Sequence, residues 1–328
     1  MKEEDIRPAQ LKEKVIELFE QDAADLLKYK AQFVEVDCPA CATKNDELYF
    51  EKKGYEFKKC SACRSLYISP RPTTDLLGKY YSTSRASKFW QEEIFPSSKE
   101  ARIKSIYIPR ADRIEEAVKK YKMNRDLMVE VGAGSGFFAQ EVAKRNLFKR
   151  IIIVEPGPID IDSGGSIELI NDVVENADIA GEADIVVNFE LIEHVFSPFD
   201  FLSSIFKLMK SNSFLMMTTP NIEGFESLTL WERSTNIAGP DHINYFNTDS
   251  IKVLLERVGF ERIDVSTTGE LDVDIVRNDH LKGHIDLSSQ RFLHYMLIEK
   301  GEEHAQEFQN FLQEKNLSSN MFAVAYKE

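Results

Sequence analysis

The sequence predicts an α/β protein: a Rossmann-like seven-stranded sheet with helices on both faces, preceded by an N-terminal helix and a small module built on four cysteines. Three observations carry this reading. Seven short apolar runs (127–131, 150–154, 167–171, 183–189, 213–221, 262–267 and 321–326) alternate with helix-forming stretches. A turn with three alternating glycines, Gly132, Gly134 and Gly136, joins the first run to a helix. All four cysteines fall in two C-x2-C pairs before that region.

With 328 residues the chain is too long for one small domain, and a 43% apolar content is enough to bury a core. The formal net charge of −14 is unevenly spread. Residues 34–90 carry +3 and residues 1–33 carry −2, so the acidity belongs to the C-terminal body, at −15. That argues against nucleic acid as the main partner, and only the small basic module keeps RNA open. No apolar run reaches the ~18–20 residues that span a bilayer, so no membrane contact is expected. The N-terminus MKEEDIRPAQ lacks the apolar stretch of a signal peptide, which makes a cytoplasmic location the expectation.

Cys38, Cys41, Cys60 and Cys63 read as two knuckles separated by 18 residues. Each C-x2-C turn can present two thiolates to one ion, and two such turns close a tetrahedral shell, the arrangement of a structural Zn2+. The segment 47–59, with aromatics around Gly54, predicts a β-hairpin, which makes the module a zinc ribbon. A redox pair, disulfides or an iron–sulfur cluster are the alternatives.

Residues 1–33 hold an amphipathic helix, with Leu11, Val15, Leu18, Phe19, Ala23, Leu26 and Leu27 on one side. Residues 34–72 form the module. Residues 73–125 are a helical linker or lid: Thr73 or Thr74 caps a short helix, 80–99 has little period, and the periodic stretch 100–122 is interrupted at Pro109. The body, 126–328, includes a helical insertion at about 270–318 whose amphipathic helix spans about 288–315.

The glycine turn excludes two common phosphate loops. Position 137 is Phe, where a dinucleotide fingerprint needs Gly, and no Gly-Lys-Ser/Thr follows. Glu130 lies inside the first strand and Glu155 ends the second. With these residues in place the body resembles a class I S-adenosylmethionine (SAM)-dependent methyltransferase. ADIVVNFELIEHV (183–195) is similar to that family's fourth strand and following loop, and SFLMMTTPN (213–221) to its fifth strand, although Lys210-Ser-Asn-Ser213 departs from the usual turn. GPDHINYFNTDSIKVLLERVGF (239–260) resembles the next loop and helix in quinone and sugar methyltransferases. The resemblance implies SAM as cofactor and an antiparallel last strand.

On that basis Gly132, Gly134 and Gly136 face the methionine part of SAM. Glu155, with Pro156 beside it, accepts from the ribose hydroxyls, a bidentate task suited to a carboxylate. Asp172 accepts from the adenine amino group while Val173 packs on the ring. Phe189 and Glu190 line the methionine side, and Glu130 orients the loop or binds the amino group. Methyl transfer is an in-line displacement, so the protein supplies alignment, and a base where the acceptor carries a proton. His194, just past the fourth strand, and His242 with Tyr245, in the loop after the fifth, are the catalytic candidates. The expected partner is a small-molecule acceptor, by resemblance a nucleotide-linked sugar or a surface-glycan or natural-product precursor, acted on by a monomer or homodimer. A SAM-fold scaffold whose zinc module binds a partner, or an RNA or protein methyltransferase, stands as the rival reading.

Overall fold

The computed structural model describes residues 1–45, 47–159, 166–179 and 181–328; residues 160–165, part of the Gly- and Asp-rich stretch after Glu155, lie outside the described residues. In the cysteine-bearing segment, β1 (Phe50–Lys52) and β2 (Tyr55–Lys59) form an antiparallel hairpin with Lys52 opposite Tyr55. Its two turn residues, Lys53 and Gly54, both take positive φ (51° and 83°), which suits the twist of the flanking strands. The next strand, β3 (Leu66–Ile68), pairs with β2.

The body begins with β4 (Leu127–Val131), β5 (Arg150–Val154), β6 (Ile167–Ile170), β7 (Ala183–Phe189) and β8 (Met209–Pro220). The two-residue β9 (Asn244–Tyr245) leaves the large sheet and pairs with β3, placing Leu66 opposite Tyr245 and Tyr67 opposite Asn244. The small sheet β1-β2-β3-β9 therefore takes one strand from the far side of the chain. β10 (Ile263–Thr267) and β11 (Asn320–Lys327) complete the large sheet, in the order β10-β11-β8-β7-β4-β5-β6. β11 runs antiparallel to both neighbours, whereas β4 to β8 are mutually parallel.

Alternation along the central strands fills both faces. Val129, Ile152, Val186 and Leu215 pack on the helices Pro198–Leu208 and Thr248–Val258. Met128, Ile153, Ile185 and Met216 pack on Ile108–Tyr121 and Phe137–Lys144. Because the strand order reverses at β4, with β5 on one side and β7 on the other, the chains leaving their carboxyl ends diverge and open a crevice there.

Three expectations change. Residues 85–97, which show little period in the sequence, are helical, because a π-helical turn at Trp90–Ile94 breaks the 3.6-residue repeat. Ala86 and Ile94 of this stretch are buried with Val15 of the N-terminal helix Ala9–Leu27. Pro109 does not end a helix. A second π turn, Ile103–Tyr107, precedes Ile108–Tyr121, so Pro109 sits in a first turn where its missing N–H is tolerated. Residues 210–213 lie inside β8 but loop out of its pairing with β7: Met209 pairs with Ala183 and Phe214 with Ile185, and Asn212 takes φ 58°. The insertion holds Asp272–Leu281 as well as Glu302–Glu314; Gly301 (φ 82°) cuts the long helix predicted at 288–315. Its core is Val276, Leu287, Leu297 and Leu312, closed against Leu230.

Candidate active site

A cleft of about 2320 Å³ opens at the carboxyl edge of β4, β5, β7 and β8. The glycine turn forms its floor, and all three glycines have positive φ (74°, 53° and 70°). At Gly132 a Cβ would lie 2.4 Å from Leu191 Cδ2, so a side chain is excluded on both counts. A Cβ on Gly134 would meet nothing within 4 Å, so that position presents bare backbone to open space. Gly136 is buried and begins the helix Phe137–Lys144 rather than lining the cleft.

Glu155, at the end of β5, accepts from Gly157 N–H at 2.8 Å on Oε1 and from Gly134 N–H at 3.3 Å on Oε2. The carboxylate thus ties the glycine turn to the next loop and keeps free lone pairs toward the cleft. Pro156, Asp172 and Val173 line the same end of the cleft. Asp172 Oδ1 accepts from Val173 N–H and Asn176 Nδ2, which holds the loop, and Val173 is 43% exposed. Glu130 is buried, and its Oε2 has no hydrogen-bond partner among the described residues. Burial pushes its carboxyl up to about 8.

Phe189 and Glu190 stand at the end of β7. Glu190 takes φ 54°, accepts from Asn320 Nδ2 at 3.0 Å, and faces Arg110 Nη2 at 3.5 Å. Arg110 also stacks on Phe189 (4.3 Å to the ring centroid) and donates to Thr218 Oγ1. Arg113, three residues on, donates to Thr268 Oγ1 and has no acidic partner among the described residues. Desolvation lowers the pKa of both guanidinium groups. These two arginines escaped sequence reading; the signal was their i, i+3 spacing on the helix that feeds β4.

His194 and His242 meet across the cleft with ring centroids 4.7 Å apart. Nδ1–H of His194 donates to the Asp241 carbonyl at 2.7 Å, and Nδ1–H of His242 to the Asn236 carbonyl at 2.8 Å. Both Nε2 lone pairs are thereby left for other work. Glu193 is buried, with Oε2 accepting from Thr219 and Oε1 3.9 Å from His194 Nε2. Burial pushes Glu193 up to about 8 and His242 down to about 4. For His194 burial acts downward, but the charges of Asp241 and Glu193 outweigh it and raise the ring above its ordinary value. Tyr81, another residue missed from sequence, donates to the Asp241 carbonyl at 2.9 Å and lies edge-on to His194. Tyr245 does not reach the cleft. As part of β9 it is 2% exposed, its ring packs on Phe57, and its hydroxyl donates to the His242 carbonyl.

The four cysteines converge away from the cleft. Cys38 and Cys63 Sγ are 3.5 Å apart, as are Cys41 and Cys60 Sγ, and all four lie within 4.8 Å of one another. The two knuckles repeat one geometry: Ala42 N–H donates to Cys38 O with φ 58° at Ala42, and Arg64 N–H donates to Cys60 O with φ 64° at Arg64. A tetrahedral shell with metal–sulfur bonds of ~2.3 Å spaces its sulfurs by ~3.8 Å, so this set fits one zinc-sized ion and leaves no open position.

Residues 108–265 match a family described as a methyltransferase domain. The matched segment, a little under half of the chain, is similar to that methyltransferase domain. Its relatives include a ubiquinone biosynthesis O-methyltransferase of Cereibacter sphaeroides, 24% identical over 156 residues, covering 42% of this chain and 61% of that protein. A probable S-adenosylmethionine-dependent methyltransferase of Mycolicibacterium smegmatis is 28% identical over 149 residues, covering 42% and 52%. The chain thus spans about half to three-fifths of the length of these relatives. Among solved structures, a SAM-dependent methyltransferase from Archaeoglobus fulgidus aligns over 70% of this chain and 97% of its own, with 16% identity and a TM-score of 0.44. The matched range 108–265 spans the stretch of chain from Arg110 to His242 that lines the cleft. No helix of the described residues is long and apolar enough to cross a membrane.

Proposed function

We propose that the chain transfers a methyl group from SAM to a small-molecule acceptor, with a nucleotide-linked sugar or a related precursor as the first class to try. The observation that carries this reading is the distribution of free polar atoms along one cleft. Glu155 and the bare backbone at Gly134 lie at one end, and two imidazole Nε2 atoms lie at the other. The residues present fit SAM: a carboxylate for ribose hydroxyls, an uncovered Val173 for an aromatic ring, a buried Glu130 oxygen lacking a donor, and Arg113 with no carboxylate at ion-pair distance among the described residues.

When bound, SAM supplies an electrophilic methyl carbon on a sulfonium. Glu155 and Asp172 hold the nucleoside end, and Glu130 and Arg113 take the ammonium and carboxylate of the amino-acid end. His194 takes the acceptor's proton on Nε2, because its Nδ1–H is held by the Asp241 carbonyl and the ring faces the cleft. His242 stays neutral beside it, and its Nε2 lone pair accepts a hydrogen bond from a second hydroxyl or amino group of the acceptor. The four cysteines hold a structural zinc.

Calorimetry with SAM and S-adenosylhomocysteine tests the cofactor half. Turnover of nucleotide sugars with a radiolabelled methyl donor tests the acceptor half. His194→Ala and His242→Ala are expected to reduce turnover at least tenfold with cofactor affinity held within threefold. A chain that binds SAM yet methylates no member of a broad acceptor panel would favour the scaffold reading.

A further inference from the structure

Arg71 lies in the Pro70-Arg71-Pro72 segment after β3 and is 1% exposed, yet it has no carboxylate partner among the described residues. Its guanidinium donates to four neutral oxygens. Nε reaches the Ile68 carbonyl at 2.9 Å, and Nη1 reaches the Phe196 carbonyl and Asn244 Oδ1, each at 2.9 Å. Nη2 reaches the Ile243 carbonyl at 3.1 Å. Burying a cation on neutral acceptors alone is costly, and an apolar side chain would tie the module to the body at lower cost. What an apolar side chain lacks is the planar fork that fixes several carbonyls at once.

Apart from the Ile68 carbonyl of β3, those oxygens belong to two segments, 192–196 and 242–245, that carry the two histidines. Asn244 bridges them from the other side. Its Nδ2 donates to Val195 O at 2.7 Å and Ile192 O at 3.2 Å, and the backbone N–H groups of Ile243 and Asn244 both donate to Glu193 O. Because Arg71 can only donate, it fixes the Asn244 amide with oxygen inward, which turns the NH2 toward the 192–195 carbonyls. The chain of contacts therefore runs from β3 through Arg71 and Asn244 to the backbone on either side of His194 and beside His242.

We propose that Arg71 is a positioning residue: the fork it extends from the cysteine module sets the separation and facing of the His194 and His242 rings. The proposal rests on the methyl-transfer reading only in treating that pair as the proton-handling site. The ring geometry itself is independent of what the cleft binds.

The test uses the full chain with its metal and 15N-labelled histidine. In the unaltered protein the two rings should show a mutual NOE, and their titrations should lie far apart, set by Tyr81, Asp241, Glu193 and Glu190 around them. In Arg71→Met and Arg71→Lys the NOE should weaken at least fivefold and the two titrations should draw together. S-adenosylhomocysteine should still bind within threefold, and the cysteine cluster should keep its metal. Unchanged rings in a folded Arg71→Met protein would overturn the proposal. Should that variant not fold, Asn244→Ser cuts the same link while leaving the guanidinium, and unchanged rings there overturn it equally. Failure of S-adenosylhomocysteine to bind even the unaltered chain counts against the methyl-transfer reading and leaves the ring measurement intact.

Discussion

Glu155 Oε2 accepts the Gly134 N–H at 3.3 Å while Oε1 accepts Gly157 N–H at 2.8 Å, so one carboxylate ties the glycine turn to the loop after β5. Charge-assisted hydrogen bonds contribute roughly 1.5–3 kcal/mol each. Glu155→Ala is therefore expected to weaken S-adenosylhomocysteine binding about 10- to 100-fold by calorimetry, with Glu155→Gln intermediate. Equal affinity in all three proteins would remove Glu155 from the site.

The two cleft glycines should separate stability from binding. Gly132→Ala forces Leu191 to move and strains a residue at φ 74°, so its thermal midpoint should drop along with its cofactor affinity. Gly134→Ala strains φ 53° alone, at a cost of about 1 kcal/mol. Its added methyl enters open space at the cleft, so affinity should fall much further than the midpoint. Parallel losses in both variants would contradict this assignment.

Metal analysis should find about one zinc per chain, and Cys60→Ser should lose it. A structural zinc contributes on the order of 10 kcal/mol to local folding. A strong chelator should therefore lower the thermal midpoint, and restored zinc should recover it. Full metal content in the Cys60→Ser protein would exclude the four-thiolate site.

Glu226 is buried, with its carboxylate accepting from Ser234 and Asn236, and burial pushes it up to about 7. Its folded value lies above the unfolded one, so between about pH 4.5 and 7 the folded state holds a proton that the unfolded state has released. Stability from this group is full below that window and lost as pH rises through it. His242, pushed down to about 4, acts oppositely: its contribution is full above pH ~6.5 and lost as pH falls toward 4. Denaturant melts across pH 4.5–8 should show Glu226→Gln flattening the alkaline fall. An unchanged slope would mean that Glu226 is ionised in the folded state throughout.

Short apolar runs made the strands legible, because the central ones are buried on both faces, and period-3.6 apolar stripes made the helices that sandwich them legible. The glycine turn and Glu155 were legible because their spacing is local. Arg110, Arg113 and Tyr81 were not, since each acquires its surroundings from strands or loops roughly 80 or more residues away. Tyr245 misled for the reverse reason: its neighbours in sequence face the cleft, while β9 pairing turns it into the small sheet. The helical stretch 85–97 escaped because its π turn erases the periodicity on which recognition depends.

The sharing of β9 bears on how this protein can be taken apart. A shortened chain beginning at residue 126 would keep every strand of the large sheet, yet it would bare the edge of Asn244–Tyr245 and strip the partners from the Phe196 and Ile243 carbonyls. An uncovered strand edge invites pairing with another copy. The piece that looks autonomous in sequence should therefore be the one that self-associates when cut free.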